Sequence, residues 1–251
     1  MIDSSTLQLQ LFKDNRSNKD PSFVGSSGAL YLATTPDGKK YLIKHTYPHN
    51  ASNEYTACWL AKKIGAYTPK AYLLSVDKRF ASPYAVALEF IEGLAPFEKD
   101  AVPNKSDLIS QFALNILIYT DDILQLNRVG SRIVSYDFSE SFNMAELPMR
   151  FALNTLSYNS EMGIDQNSRL LDGFRRHLQL QCFDYPGLAK KFHLDPKEMR
   201  QGIIAVAKRV LDITEEELDE LSDELCNLYP TAVAVYYEEC IRAMQQLMKR
   251  F

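Results

Sequence analysis

The chain has 251 residues, 46% of them hydrophobic, with 28 Lys and Arg against 32 Asp and Glu for a formal net charge of -4. This is enough apolar material for one large domain or two smaller lobes, and the scattered bases form no stripe that would track a nucleic-acid backbone. No apolar run reaches the length of a membrane span, and the leading MIDSSTLQLQLFKDN has neither a basic nor an apolar leader region. The expected location is the cytoplasm, with export by a signal-independent route left open. Cys58, Cys182, Cys226 and Cys240 lie far apart without C-x-x-C spacing, so they read as buried thiols in a reducing compartment rather than as zinc ligands or disulfides.

The first part of the chain is strand-rich. An apolar stretch from Phe23 to Thr35 contains the small residues Gly25, Ser26, Ser27 and Gly28 followed by ALYLATT. Pro36-Asp37-Gly38 then turns it back into KKYLIKH, which predicts a hairpin. Asn53 to Ile64 places Tyr55, Cys58, Trp59 and Ala61 or Lys62 at helical spacing and stops at Gly65, which predicts a helix. Beyond the break at Tyr67-Thr68-Pro69, KAYLLSV and YAVALEFI read as two more strands, completing a small sheet with one helix against it. After Pro103 the character changes. Lys105 to Tyr119 is a strongly apolar helix, the segment TDDILQLNRVGSRIVSYDFSESF holds a short hairpin, and the remainder is mostly helical. In that remainder Asp195 and Pro196 mark one helix start, Thr214 and Glu217 have the spacing of a capping box, and a last helix begins near Thr231. The expected division is residues 1–92, a linker over 93–104, and residues 105–251.

The chemistry begins with Asp122, Asn127 and Asp137, arranged as Asp-x4-Asn-x9-Asp-Phe around the hairpin. Magnesium-dependent phosphoryl transfer uses such a set, one group handling the nucleophile and two holding metal on nucleotide phosphates. Asp and Asn also punctuate ordinary turns. What gives the set weight is the order of residues upstream. Gly25 to Gly28 could let backbone approach phosphates, Lys44 ends the strand YLIK, and Glu54 opens the following helix, where it can turn towards Lys44. Each has a plain alternative, as turn, solvated lysine or dipole-facing glutamate; their joint order within one hairpin and helix is harder to obtain by chance. In LEFIEG, Glu89 and Ile91 would present a carbonyl and an amide to an adenine ring, an edge strand and linker being the ordinary alternative.

With these residues assembled, the chain resembles the HipA-like kinases. The resemblance is carried by VGSSGALYL, YLIK, NEYTACWLAKKIGAYTPKAYLL, YTDDILQLN and SYDFSESF, over roughly residues 20 to 145, and more loosely by the helical tail. It implies an α+β, two-lobed protein-kinase-like fold with a small antiparallel-sheet lobe carrying one helix and a mostly helical second lobe. It also implies ATP and Mg2+ as cofactors, Lys44 as the phosphate lysine, Asn127 and Asp137 as magnesium ligands, and Asp122 as the catalytic aspartate. The family's Asn-Thr-Asp reads here Tyr119-Thr120-Asp121, which favours Asp121, whereas the five-residue step to Asn127 favours Asp122. Some HipA-like kinases modify a serine of the phosphate loop, and Ser26 or Ser27 stands at that place. Phosphatidylinositol kinases use a similar arrangement, with a basic residue where Ile123 stands here.

The expected function is ATP-dependent phosphate transfer to a hydroxyl, first of all of a protein serine or threonine. A pseudokinase interaction module and a lipid or small-molecule kinase are the alternatives. His45, His49, His177 and His193 show no ligand spacing, and Arg175-Arg176-His177 reads as a solvated helix face ahead of a dock for an acidic substrate.

Overall fold

The structure is a computed structural model that describes residues 2, 4–14, 29–45, 48–74, 85–97, 104–120, 126–142, 160–180, 183 and 185–251. Five strands, β1 (Gln8–Asp14), β2 (Ala29–Thr34), β3 (Lys40–His45), β4 (Ala71–Leu73) and β5 (Ala85–Glu89), form an antiparallel sheet in the order β1-β2-β3-β5-β4. The β2–β3 turn runs through Gly38 at φ 84, a conformation that glycine adopts without steric cost. Side chains alternate along β3. Tyr41 and Ile43 enter a small cluster with Leu7, Ala33, Leu74, Ala85 and Ala87, while Leu42 packs on the opposite side against the main core. Lys44, two residues on from Leu42, shares that inner face.

The helix behind the sheet, α1 (Pro48–Ile64), starts five residues ahead of the expected Asn53. Proline suits the first turn because its amide hydrogen would have no helical partner there. The residues that follow are polar but buried: Asn50, Ser52, Asn53, Glu54 and Thr56 are each at most 2% exposed. Glu54 therefore lies in the second turn and not at the helix opening, which removes the dipole-facing reading. Strand β1, absent from the sequence expectation, pairs with β2 at the sheet edge.

A second, three-stranded sheet joins β6 (Ala95–Pro96), β7 (Leu126–Val129) and β8 (Arg132–Ser135) in that order. The helices are α2 (Lys105–Ile118), α3 (Ser160–Leu180), α4 (Pro186–Lys191), α5 (Pro196–Ala207), α6 (Glu215–Cys226) and α7 (Thr231–Met248), with a 3-10 turn at Lys208–Asp212. The starts of α5 and α6 follow the expected chemistry, and α2 is capped as well. Asn104 caps α2, Asp195 caps α5 through the Glu198 amide at 2.8 Å, and Thr214 with Glu217 forms a reciprocal capping box on α6. The fold is thus α+β, a small antiparallel sheet with one helix followed by a mostly helical part. One apolar cluster runs from α1 and β5 through α2 into α3, α5, α6 and α7. Cys58 and Cys240 are buried free thiols within it; Cys226 is exposed at the end of α6, against the expectation of a buried thiol there, and Cys182 lies outside the described residues.

Candidate functional site

Polar residues of α2 fix the hairpin that follows it. The Asp107 carboxylate, 7% exposed, accepts the Arg132 Nε–H at 2.6 Å and the Ile133 amide at 3.0 Å. Gln111, fully buried, donates to the carbonyls of Tyr67 (2.7 Å) and Ile133 (3.2 Å) and accepts from the Ser135 hydroxyl. These bonds explain why polar residues tolerate a buried helix face: each meets a backbone or side-chain partner. Past β8 the chain turns sharply at Asp137, whose φ of 74 lies in the left-handed region that aspartate tolerates better than most residues. The segment is tied down again where the Phe142 amide donates to the Ile118 carbonyl at 2.6 Å.

This geometry brings together three residues singled out in the sequence. The Lys44 Nζ lies 2.8 Å from Glu54 Oε2 and 2.8 Å from Asp137 Oδ1. Glu54 does more than pair with the lysine: its Oε1 accepts the Asp137 amide at 3.1 Å and its Oε2 the Phe138 amide at 2.9 Å. The side chains of Lys44 and Glu54 are 12% and 0% exposed, so this is a buried ionic cluster with backbone hydrogen bonds filling its remaining capacity. Burial pulls the Lys44 ammonium down, and the two carboxylates more than offset it, leaving its pKa above the ordinary lysine value. Burial pushes the Glu54 carboxyl up against the opposing pull of Lys44. Lys44 holds the Asp137 carboxyl below its usual range despite partial burial.

Asn127 sits on β7 opposite Val134, and its side chain hydrogen-bonds Tyr136, the neighbour of Asp137. Burial, followed by the charge of Asp137, raises the Tyr136 phenol above its ordinary value. Glu89 ends β5 opposite Tyr41, its amide donating to the Lys70 carbonyl at 2.8 Å; Ile91 follows, partly buried. Gly25, Ser26, Ser27 and Gly28, together with Asp121 and Asp122, lie outside the described residues. Ahead of the aspartate pair, Tyr119 caps α2 at φ 44 and stacks on His177 of α3, ring centroids 3.5 Å apart. In the basic cluster, Arg175 is engaged by Asp172 and by Glu239 at 3.0 Å.

Sequence reasoning passed over Tyr136, Ser139, Asn53 and Tyr237. The Ser139 hydroxyl donates to Asp137 Oδ1 at 3.2 Å, and its carbonyl accepts from Asn53 Nδ2 at 2.7 Å. The available signal was the run Asn50 to Thr56, polar on every helix face but the one that carries Ala51 and Tyr55, and a helix behind a sheet does not carry so many polar residues without partners. A cavity of about 610 Å³ lies elsewhere, bordered by Trp59, Lys62, Pro69, Arg132 and Glu224, and none of the ionic cluster lines it. Among the described residues no group of three or more His, Cys, Asp or Glu gathers as a metal site, and no helix is long and apolar enough to cross a membrane.

No family model and no curated protein matches the chain. Among solved structures, the Helicobacter pylori proinflammatory kinase CtkA superposes with a TM-score of 0.55 at 12% identity, covering 100% of this chain and 99% of that one. The fold is kinase-like. The golgi casein kinase is a more distant neighbour, with a TM-score of 0.38 and 10% identity over 90% of this chain and 70% of its own. At these identities the likeness concerns architecture, and the HipA-like resemblance rests on the sequence segments that carry it.

Proposed function

We propose that this protein is an ATP- and Mg2+-dependent phosphotransferase acting on a hydroxyl, foremost a protein serine or threonine. The observation that carries the reading is the buried Lys44 held between Glu54 and Asp137 within a kinase-like fold. A lysine fixed in this way keeps its charge and its aim, which is what a group that receives nucleotide phosphates needs. The donor set also suits the metal. Asn127 and Asp137 supply an amide oxygen and a carboxylate, hard ligands few enough to leave room for phosphates and water. Magnesium, when bound there, would neutralise charge on the phosphates.

In this reading Asn127 and Asp137 hold the metal, and Glu54 orients Lys44 and the Asp137 backbone. Asp122, or Asp121, takes the proton of the attacking hydroxyl. The loop from Gly25 to Gly28 offers backbone amides to the phosphates, and the Glu89 carbonyl and Ile91 amide face adenine. Residues 1–92 form the nucleotide lobe, 93–104 the linker, and 105–251 the lobe that carries the aspartates.

Incubation with labelled ATP and Mg2+, reading self-labelling and transfer to lysate proteins, tests the reading. Asp137→Ala should abolish transfer and keep the fold, because Lys44 remains paired with Glu54. Undiminished transfer by Asp137→Ala would sink the assignment. A pseudokinase is the second reading, favoured by the departure at Tyr119-Thr120-Asp121-Asp122. Stabilisation by ATP and Mg2+ with no transfer at all would select it.

A further inference from the structure

We propose that a buried hydrogen-bond relay running from the C-terminal helix to the Asp137 carboxylate sets the magnesium affinity of the nucleotide site, with Tyr237, Asn53 and Ser139 as its positioning residues. The inference rests on the proposed metal role of Asp137. Tyr237 of α7 donates its hydroxyl to Asn53 Oδ1 at 2.7 Å; Asn53 Nδ2 donates to the Ser139 carbonyl at 2.7 Å; the Ser139 hydroxyl donates to Asp137 Oδ1 at 3.2 Å. Tyr237 and Asn53 are fully buried and Ser139 is 7% exposed, so water does not compete for these bonds.

The chemistry of the partners gives the relay its direction. A backbone carbonyl can only accept, so the Asn53 end facing Ser139 must be the amide nitrogen, and the end facing Tyr237 must be the oxygen. Asn53 is thereby locked in one orientation between two elements. Among the described residues, the donors to the Asp137 carboxylate, Lys44 and Ser139, both converge on Oδ1. In the proposal the cation is taken by the other oxygen, Oδ2. Partners of a metal-holding carboxylate fix its orientation, and their loss commonly weakens metal binding about tenfold or more. The serine is well placed for this role because its side chain and its backbone carbonyl act on opposite ends of the same connection.

The test is a thermal-shift titration of the full chain with MgCl2 at fixed ATP, for wild type, Ser139→Ala, Ser139→Thr, Tyr237→Phe and the Ser139→Ala/Tyr237→Phe double variant. Chelation of metal by ATP in solution is common to all of them, so differences belong to the protein. Ser139→Ala should raise the magnesium midpoint about tenfold. Ser139→Thr, which keeps the hydroxyl, should return to within about twofold of wild type, and the double variant should be no worse than Ser139→Ala alone, since both break one relay. The response to ATP in EDTA should be the same throughout.

Midpoints for Ser139→Ala and Tyr237→Phe within about twofold of a responsive wild type would overturn the inference and leave the proposed function standing; effects that multiply in the double variant would overturn it as well. Should Tyr237→Phe fail to fold, the contrast between Ser139→Ala and Ser139→Thr decides alone. A wild-type protein that neither ATP nor Mg2+ stabilises would remove the proposed function and this inference together.

Discussion

Lys44 is a single positive charge placed where two carboxylates would otherwise repel one another. Its removal would leave Glu54, fully buried, without a counter-charge, which is far costlier than losing an exposed pair. Lys44→Met should lower unfolding stability by about 3 kcal/mol at pH 7.5, read from urea midpoints. The pH dependence follows from Glu54. Its folded pKa is already raised by burial, so its charged form opposes folding at neutral pH, and that opposition fades as acid protonates it in the folded state. Without Lys44 the opposition grows. The gap between Lys44→Met and wild type should therefore narrow between pH 7.5 and pH 5. Asp137 works in the other direction: its depressed pKa contributes stability above the ordinary carboxylate range and loses it only at lower pH, so it does not mask the narrowing. A gap that stays constant over this interval would show that Glu54 is not the titrating partner.

At the scale of elements, the arrangement of Lys44 and Glu54 depends on α1 being held at both ends. In its second turn Asn53 meets Ser139 and Tyr237; at its end Arg209 Nη1 donates to the Ile64 carbonyl at 2.7 Å, and Lys63 pairs with Glu217 at 2.6 Å. Gly65 makes the second attachment possible. It lies at φ 81, and a Cβ there would stand 2.5 Å from Arg209 Nη1. Gly65→Ala should thus lose both the left-handed helix end and the arginine cap, costing about 1.5 kcal/mol and roughly 5 °C in Tm. Arg209→Ala should cost less, and a Gly65→Ala protein as stable as wild type would contradict the cap. Elements marked by local chemistry were legible in the sequence: the Asp37-Gly38 hairpin, α2, and the capped starts of α5 and α6. Lys44, Glu54 and Asp137 were singled out by their order along the chain, and these three meet in the structure. Attachments across long separations were not legible. Nothing near Asn53 signals that Tyr237, 184 residues away, will satisfy its amide oxygen, so its positioning part went unread. Strand β1 was missed because its pairing lies at an edge, where Leu11 is 53% exposed and the alternation of apolar residues carries little information.

For the molecule as a whole, the question is whether sheet and helices unfold as one body. The outer face of the five-stranded sheet holds a small apolar cluster, whereas its inner face joins α1 to a core that continues through α2 to α7. A hairpin sheet with so little core of its own is marginal in water, so its order depends on the shared cluster. Ionic and hydrogen-bonded ties cross the same boundary at Lys44–Asp137, Asn53–Tyr237 and Lys63–Glu217. Unfolding should therefore be a single transition, although a chain of two lobes could have shown two. The only tryptophan offers a direct check, because Trp59 lies on α1 and packs against the shared core. Trp59 fluorescence reports the attachment of α1, while far-UV circular dichroism is dominated by the helices of the second part. Their urea midpoints should coincide, and saturating ATP with Mg2+ should move both together, by about 2.7 kcal/mol at a hundredfold excess over Kd. A fluorescence transition that precedes the loss of helix would mean that α1 and the sheet separate first, and the buried Lys44 cluster would then be held by the sheet side alone.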